Sequence, residues 1–135
     1  MSKRKNRMAA MRLVNAFNAH EARQVIRAIS MDCLFIDSAG DAIEGADALC
    51  QAVAAFMEIE TDFAIKITDS TVVNDEVLLV GETRAHNPLV AKDRMWRAKI
   101  RDGKVCEWQS FCEGTTARLA MALGPVRQSD ALLVS

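Results

Sequence analysis

The chain has 135 residues, of which half are apolar and 26% charged, with a formal net charge of −1 and a pI near 6.1. These values fit one soluble domain around a single core, and the balanced charge excludes a general attraction to nucleic acid or anionic membrane. No apolar run approaches the ~18 residues that cross a bilayer, and no secretory signal core follows the basic N-terminus. We therefore expect a cytoplasmic protein.

The N-terminal part predicts two helices in tandem. Residues 1–7 are basic and are expected to form a flexible end. From Met8 to Phe17, apolar residues recur every three or four positions, which is typical of an amphipathic helix. The same spacing in residues 21–29 predicts a second, shorter helix.

A short strand and a third helix follow. The run "CLFID", residues 33–37, predicts a strand that ends at a turn around Gly40. Residues 46–57 predict a helix with one apolar face, which should pack on a sheet. The residues of this face are Leu49, Ala52, Val53, Phe56 and Met57.

The second half of the chain is rich in strand-forming residues. Segments 62–73, 76–86, 94–101 and 104–111 predict an antiparallel meander, with a hairpin turn at Asp102-Gly103. The longest loop, residues 87–93, is expected at a pocket mouth. A last helix is predicted from about Thr115 to Leu123, followed by a tail over 125–135.

The element order predicts an α+β fold. We expect a cone made of a strongly curved antiparallel sheet packed against three N-terminal-side helices, with a short C-terminal helix, over residues 8–124. Such a cone encloses an apolar pocket. The four cysteines lack the paired short spacing of a zinc site, so the sequence predicts no metal and no cofactor.

Four stretches carry a resemblance to a known family. These are "RLVNAFNAHEARQV", "LFIDSAGDAIEGADALCQAVAAF", "VGETRAH" and "MWRAKIRDGKVCEWQSFCEG". In this order they resemble the nuclear transport factor 2-like superfamily in its SnoaL-like branch, which includes ketosteroid isomerase and limonene epoxide hydrolase. The resemblance covers roughly residues 8–123 and implies a cystatin-like cone. It also implies a homodimer through the outer face of the sheet.

Asp37 is the first candidate for chemistry. In ketosteroid isomerase an aspartate after the same strand shuttles a proton between substrate carbons, so the resemblance implies that Asp37 is a base. The isomerase's tyrosine donor is replaced by Leu13, and its second donor aligns near Trp96. The alternative is that Asp37 caps a turn, as aspartate commonly does.

Limonene epoxide hydrolase gives the second comparison. Arg84 matches the arginine of that enzyme's catalytic strand, whereas His86 and Ser110 replace its two catalytic aspartates. Phe35 replaces a tyrosine that positions water, and Asp37 stands in place of an asparagine. Epoxide hydrolysis by that triad is therefore not supported, although an atypical epoxide hydrolase remains a third option.

Strand periodicity suggests further site residues. Alternation along 76–86 places Glu82, Arg84 and His86 on one face, which would carry charge into the pocket or would instead face water. Pairing outward from the Asp102-Gly103 turn places Trp96 and Trp108 on opposite faces of the last hairpin, one of them on an outer surface suited to pairing with a second copy.

The sequence thus predicts a pocket protein for a small, mainly apolar molecule, with no nucleic-acid or membrane partner and with pairing into a homodimer. The favoured activity is that of an isomerase or cyclase acting beside a carbonyl group, and the alternative is a non-catalytic binding or dimerisation module. The predicted catalytic residues are Asp37, Arg84 and His86, and the predicted ligand contacts are Leu13, Phe17, Phe35, Phe56, Glu82 and Trp96.

Overall fold

The computed structural model describes residues 2–115. Its helices are α1 (Lys3–Asn18), α2 (Ala22–Ala28), α3 (Ala46–Ile59) and α4 (Pro88–Ala91). Its strands are β1 (Ile29–Ile36), β2 (Ala42–Glu44), β3 (Ala64–Val73), β4 (Glu76–Arg84), β5 (Asp93–Arg101) and β6 (Lys104–Cys112). No helix within residues 2–115 is long and apolar enough to cross a membrane.

The six strands form one curved, mixed sheet that does not close, in the order β2-β1-β6-β5-β4-β3. The predicted antiparallel meander is present from β3 to β6. The sheet as a whole is mixed, because β1 enters it beside β6 and runs parallel to that strand. The predicted cystatin-like α+β fold is confirmed. The short edge strand β2 follows the predicted turn and was missed by the sequence patterns.

The first helix begins earlier than periodicity indicated. Ser2 caps α1 by accepting a hydrogen bond from the Lys5 backbone N–H, and the helix starts at Lys3. Asn6 is buried and donates to the Asn74 carbonyl oxygen, while Arg7 donates to the Ser70 hydroxyl. Residues 3–7 are therefore helical, and Asn6 and Arg7 hold them against the β3–β4 hairpin, where we expected a flexible end.

The main core lies between the helices and one face of the sheet. Leu13 and Val14 of α1, Leu49 of α3 and Leu79 of β4 are almost fully buried in it. The opposite face of the sheet carries a second, smaller apolar cluster of Leu78, Met95, Phe111 and Val80. Both faces of β4 are thus apolar in the middle of the strand.

β-Bulges set which side chains face the helices. Lys99 pairs with Glu107 but Ile100 pairs with Val105, so Cys106 is an extra residue in β6. This extra residue reverses the alternation, and Trp96 and Trp108 lie on the same face with ring centroids 6.5 Å apart. The expectation that they lie on opposite faces was wrong, because it assumed a hairpin without a bulge.

The segment predicted as the longest loop contains the short helix α4, whose N-terminus is capped by the Asn87 side chain. The predicted helix from about Thr115 to Leu123 and the tail over 125–135 lie outside the described residues, except for Thr115 itself.

Candidate functional site

A cavity of about 340 Å³ lies between α1, α3 and the sheet, and it opens at the end of the sheet where β1 and β6 stop and β5 begins. Its lining is mostly apolar. The apolar side chains are Phe17, Phe35, Ile36, Ile43, Leu49, Ala52, Val53, Phe56, Met57, Phe63, Ile65, Val90, Trp96 and Trp108, and the polar ones are Asp37, Asp41, Thr83, Asp93 and Ser110.

Aromatic rings form the inner wall of the cavity. Phe17 of α1 contacts Phe35 of β1 edge to face at 6.0 Å and Trp108 at 5.7 Å. Trp108 is stacked on Trp96 with an angle of 24° between the ring planes. Four separate elements supply these rings, namely α1, β1, β5 and β6, and together they offer apolar surface to a ring-containing ligand.

Asp37 follows β1 and lies at the cavity mouth, where its side chain is exposed. Its Oδ1 accepts backbone hydrogen bonds from Ala39 at 3.0 Å and from Asp41 at 2.9 Å. The Asp37 carbonyl oxygen also accepts from Gly40, whose φ of 93° suits glycine. The turn-capping role that sequence reasoning left open is therefore present, and the carboxylate also borders the cavity.

Asp93 is the acid that sequence reasoning missed. Its side chain lines the cavity and is only 9% exposed, and its buried Oδ1 has no hydrogen-bond partner. Burial raises the pKa of Asp93 to about 6; a hydrogen bond from the Ser38 side chain opposes this rise, and the nearby charge of Asp37 adds to it. A buried carboxyl group whose pKa lies near neutrality can both take up and release a proton.

A second bulge places Asp93 in the cavity. Asp93 pairs with Cys112 and Met95 pairs with Phe111, so Arg94 is an extra residue in β5. Without Arg94, the alternation that places Trp96 inside would place residue 93 on the opposite face. The Asp93 carbonyl oxygen is held by the Thr83 hydroxyl at 3.0 Å and by the Arg94 guanidinium at 3.1 Å. Periodicity gives no signal for such a bulge.

The helix α4 covers one side of the cavity mouth with Val90. Glu60, the residue that follows α3 as its C-cap, binds the segment before α4. Its two carboxylate oxygens accept backbone hydrogen bonds from His86 at 2.6 Å and Asn87 at 2.9 Å. These hydrogen bonds lower the pKa of Glu60. The carboxylate of Glu60 thus fixes the entry of the chain into α4, which holds Val90 against the cavity.

Several predicted site residues lie elsewhere. Glu82, Arg84 and His86 are exposed and do not line the cavity; the side chain of β4 that reaches it is Thr83. His86 instead lies 3.4 Å from Asp62 at the surface. Of the two orientations that the sequence left open, this face points away from the cavity, because Leu78 and Val80 on it belong to the smaller cluster on the other side of the sheet. The prediction of Arg84 and His86 as catalytic residues in the cavity is therefore not met.

The apolar residues that were predicted to contact a ligand mostly line the cavity. Phe17, Phe35, Phe56 and Trp96 line the cavity, and their contact with a ligand stays a prediction. Leu13 is fully buried in the core and does not reach the cavity wall.

The cysteines take no part in the site. Burial raises the pKa of the Cys33 thiol to about 12, and the same cause raises the pKa of Cys106. These two groups are thiols near neutral pH and not nucleophilic thiolates.

Comparison with known families identifies one family that matches most of the chain. The family described as "SnoaL-like domain" matches residues 10–108. The chain belongs to the SnoaL-like domain family. This match covers α1 to the middle of β6 and so includes the aromatic wall, Asp37 and Asp93. A search of curated proteins finds no relative with significant sequence similarity.

Solved structures share the fold at low identity. A cystatin-like protein of unknown function from Xanthomonas campestris is 20% identical with a TM-score of 0.70, over 84% of this chain and 94% of its own. A candidate SnoaL-like polyketide cyclase from Jannaschia sp. CCS1 is 18% identical with a TM-score of 0.67, over 91% and 94% of the two chains. An LEH-like epoxide hydrolase from M. tuberculosis is 15% identical with a TM-score of 0.67, over 81% and 79%. At these identities the likeness shows the fold alone.

Proposed function

We propose that this SnoaL-like protein binds a small, mainly apolar carbonyl compound in the aromatic cavity and transfers a proton beside its carbonyl group, as an isomerase or cyclase does. The single observation that carries this proposal is Asp93, a cavity-lining carboxyl group that is nine-tenths buried and has a pKa of about 6. A base with this pKa is ionised at neutral pH and still strong enough to accept a carbon-bound proton in a dry site.

The surrounding residues have distinct roles in this proposal. The stacked pair Trp96 and Trp108 holds the apolar body of the substrate, and the carbonyl group lies toward the cavity mouth. Ser110 is a hydroxyl group of the lining that can donate to the developing enolate oxygen, whereas the Thr83 hydroxyl already donates to the backbone. Asp37, which sequence reasoning proposed as the base, contributes its negative charge at the mouth.

The experiment measures proton abstraction directly. 2-Tetralone, a bicyclic aromatic ketone, is incubated with the protein in D₂O, and loss of its α-hydrogens is followed by proton NMR. We expect the wild type to accelerate exchange and Asp93→Asn to reduce the rate by at least about 100-fold, since a positioned base contributes about 10²–10⁴. The matched control is Asp47→Asn, which removes an exposed carboxylate outside the cavity wall.

Two outcomes would count against the proposal. Equal exchange by the wild type and Asp93→Asn would remove Asp93 from the mechanism. A rate that does not increase as the pH is raised through about 6, where Asp93 ionises, would do the same.

A non-catalytic binding module is the second candidate. Among the described lining residues there is no Lys, Arg or His that could stabilise an enolate, and this favours binding without turnover. Saturable binding of 2-tetralone without any exchange would support this candidate. Epoxide hydrolysis is the third option and has less support, because Arg84 and His86 lie outside the cavity.

A further inference from the structure

The charged groups of the cavity all have the same sign. Asp37, Asp41 and Asp93 lie at its mouth, and the described lining contains no cationic side chain. The rest of the wall is apolar apart from Thr83 and Ser110. A ligand with a carboxylate or phosphate group would meet only repulsion at this end, whereas a cation would be attracted.

Asp93 supplies the second, independent observation. Its side chain is only 9% exposed, and its Oδ1 is buried in the cavity wall without a donor. The cation next to it in sequence, Arg94, directs its guanidinium to the carbonyl oxygens of Ala91 and Asp93. A buried carboxylate oxygen without a partner is costly, so a ligand that brings an N–H donor would remove this cost.

The aromatic wall is compatible with a cation as well as with apolar groups. Trp96, Trp108, Phe17 and Phe35 line the cavity, and their rings contact one another. Tryptophan faces attract ammonium groups within about 6 Å of the ring centroid. Within the described residues, no group of three His, Cys, Asp or Glu side chains is arranged to hold a metal ion, which favours an organic cation.

We propose that the cavity preferentially binds lipophilic ammonium compounds, with the ammonium group donating to Asp93 and the apolar body packed between the tryptophans and phenylalanines. This inference rests on the proposed function, because it uses the same cavity and the same carboxylate. It adds the charge of the preferred ligand: amino ketones and amines are favoured, and organic acids are excluded.

The test is a matched series on one ring system. Binding of 2-aminotetralin, 2-tetralol and tetralin-2-carboxylate is measured by titration calorimetry at pH 7.5. We expect the amine to bind at least about tenfold more tightly than the alcohol, because a charge-assisted hydrogen bond adds about 1.4 kcal/mol or more. The carboxylate should bind more weakly than the alcohol.

Variants assign the preference to Asp93. In Asp93→Asn the amine should lose its advantage and bind within about twofold of the alcohol, since the isosteric amide carries no charge. Asp47→Asn should keep the wild-type preference, because this carboxylate lies outside the cavity wall. An amine that binds no better than the alcohol in the wild type, or that keeps its advantage in Asp93→Asn, would overturn the proposal.

A pH series tests the same point in the wild type without a substitution. The charged groups that face Asp93 are Asp37, Asp41 and Arg94. Between pH 7.5 and pH 5 the amine stays protonated while Asp93 takes up a proton, so the advantage of the amine should fall by at least about threefold. An unchanged advantage over this range would contradict the role of Asp93.

The outcomes separate this inference from the proposed function. Exchange of 2-tetralone without a preference for the amine would overturn the inference and leave the proposed function standing. An Asp93-dependent preference for the amine without exchange would support the inference and overturn the catalytic proposal. Absence of binding by the whole series, together with absence of 2-tetralone exchange, would overturn both.

Discussion

Replacing Asp93 by asparagine should stabilise the protein at neutral pH. Burial raises the pKa of this carboxyl group from 3.8 to about 6, so the folded state holds its proton more tightly than the unfolded state does. The stability associated with the protonated group is fully present below pH 3.8 and is lost as the pH rises through about 6. Above that pH, the folded chain carries a buried negative charge that asparagine lacks.

The size of this effect follows from the two pKa values. The difference between 3.8 and about 6 corresponds to about 3 kcal/mol of unfolding free energy. Because the carboxyl group lies at a cavity mouth where water screens part of its charge, we expect a smaller gain of about 1–2 kcal/mol for Asp93→Asn at pH 7.5. At pH 4 the gain should nearly vanish.

The assay is urea unfolding of the wild type and Asp93→Asn at pH 7.5 and pH 4, with Asp47→Asn as the control. Other carboxylates also titrate over this range, but they change both proteins alike, so the difference between the two free energies isolates Asp93. A difference that is equal at the two pH values, or that favours the wild type at pH 7.5, would refute the assignment of a buried, ionised Asp93.

Substitutions at three other positions test the fold. Arg97→Ala should destabilise the protein by about 3 kcal/mol in urea unfolding, because it leaves two partly buried glutamates without the guanidinium that both contact. Gly81→Ala should lower the free energy of unfolding by about 2–3 kcal/mol, since a Cβ there would overlap the Lys66 carbonyl oxygen. Asp37→Ala should cost about 1 kcal/mol through loss of its turn hydrogen bonds, and Asp37→Asn, which keeps an acceptor, should cost less. Equal effects of the two Asp37 variants would show that the turn does not depend on this acceptor.

Most of the fold could be predicted from the sequence because its elements are long and strongly periodic. The helical spacing in α1 and α3 and the β-rich runs of the second half correspond to observed elements. The hairpin turn was also predictable: Asp102 and Gly103 have φ values of 53° and 75°, as a two-residue turn between antiparallel strands requires. The SnoaL-like resemblance, which rested on the order of these motifs, is confirmed by the family match.

The site was harder to predict, because strand alternation decides which side chains point into the cavity. The run "EVLLV" in β4 is apolar on both faces, so periodicity could not show which face meets the helices. One extra residue in β5 and one in β6 then decide that Asp93 and both tryptophans point into the cavity. Both bulges lie in the β5–β6 hairpin, and the sequence pattern of neither strand shows where two residues will face one across the pair.

Stability and activity should therefore change in opposite directions at Asp93. If this acid only supported the fold, its replacement by asparagine would leave proton exchange unchanged or would lower exchange and stability together. If it is the acid–base group, the same substitution should stabilise the protein at pH 7.5 and reduce exchange by at least about 100-fold. Burial raises the pKa of Asp93, which destabilises the folded state at this pH and also enables proton transfer near neutrality. Both measurements on one variant thus distinguish a structural carboxyl group from a functional one.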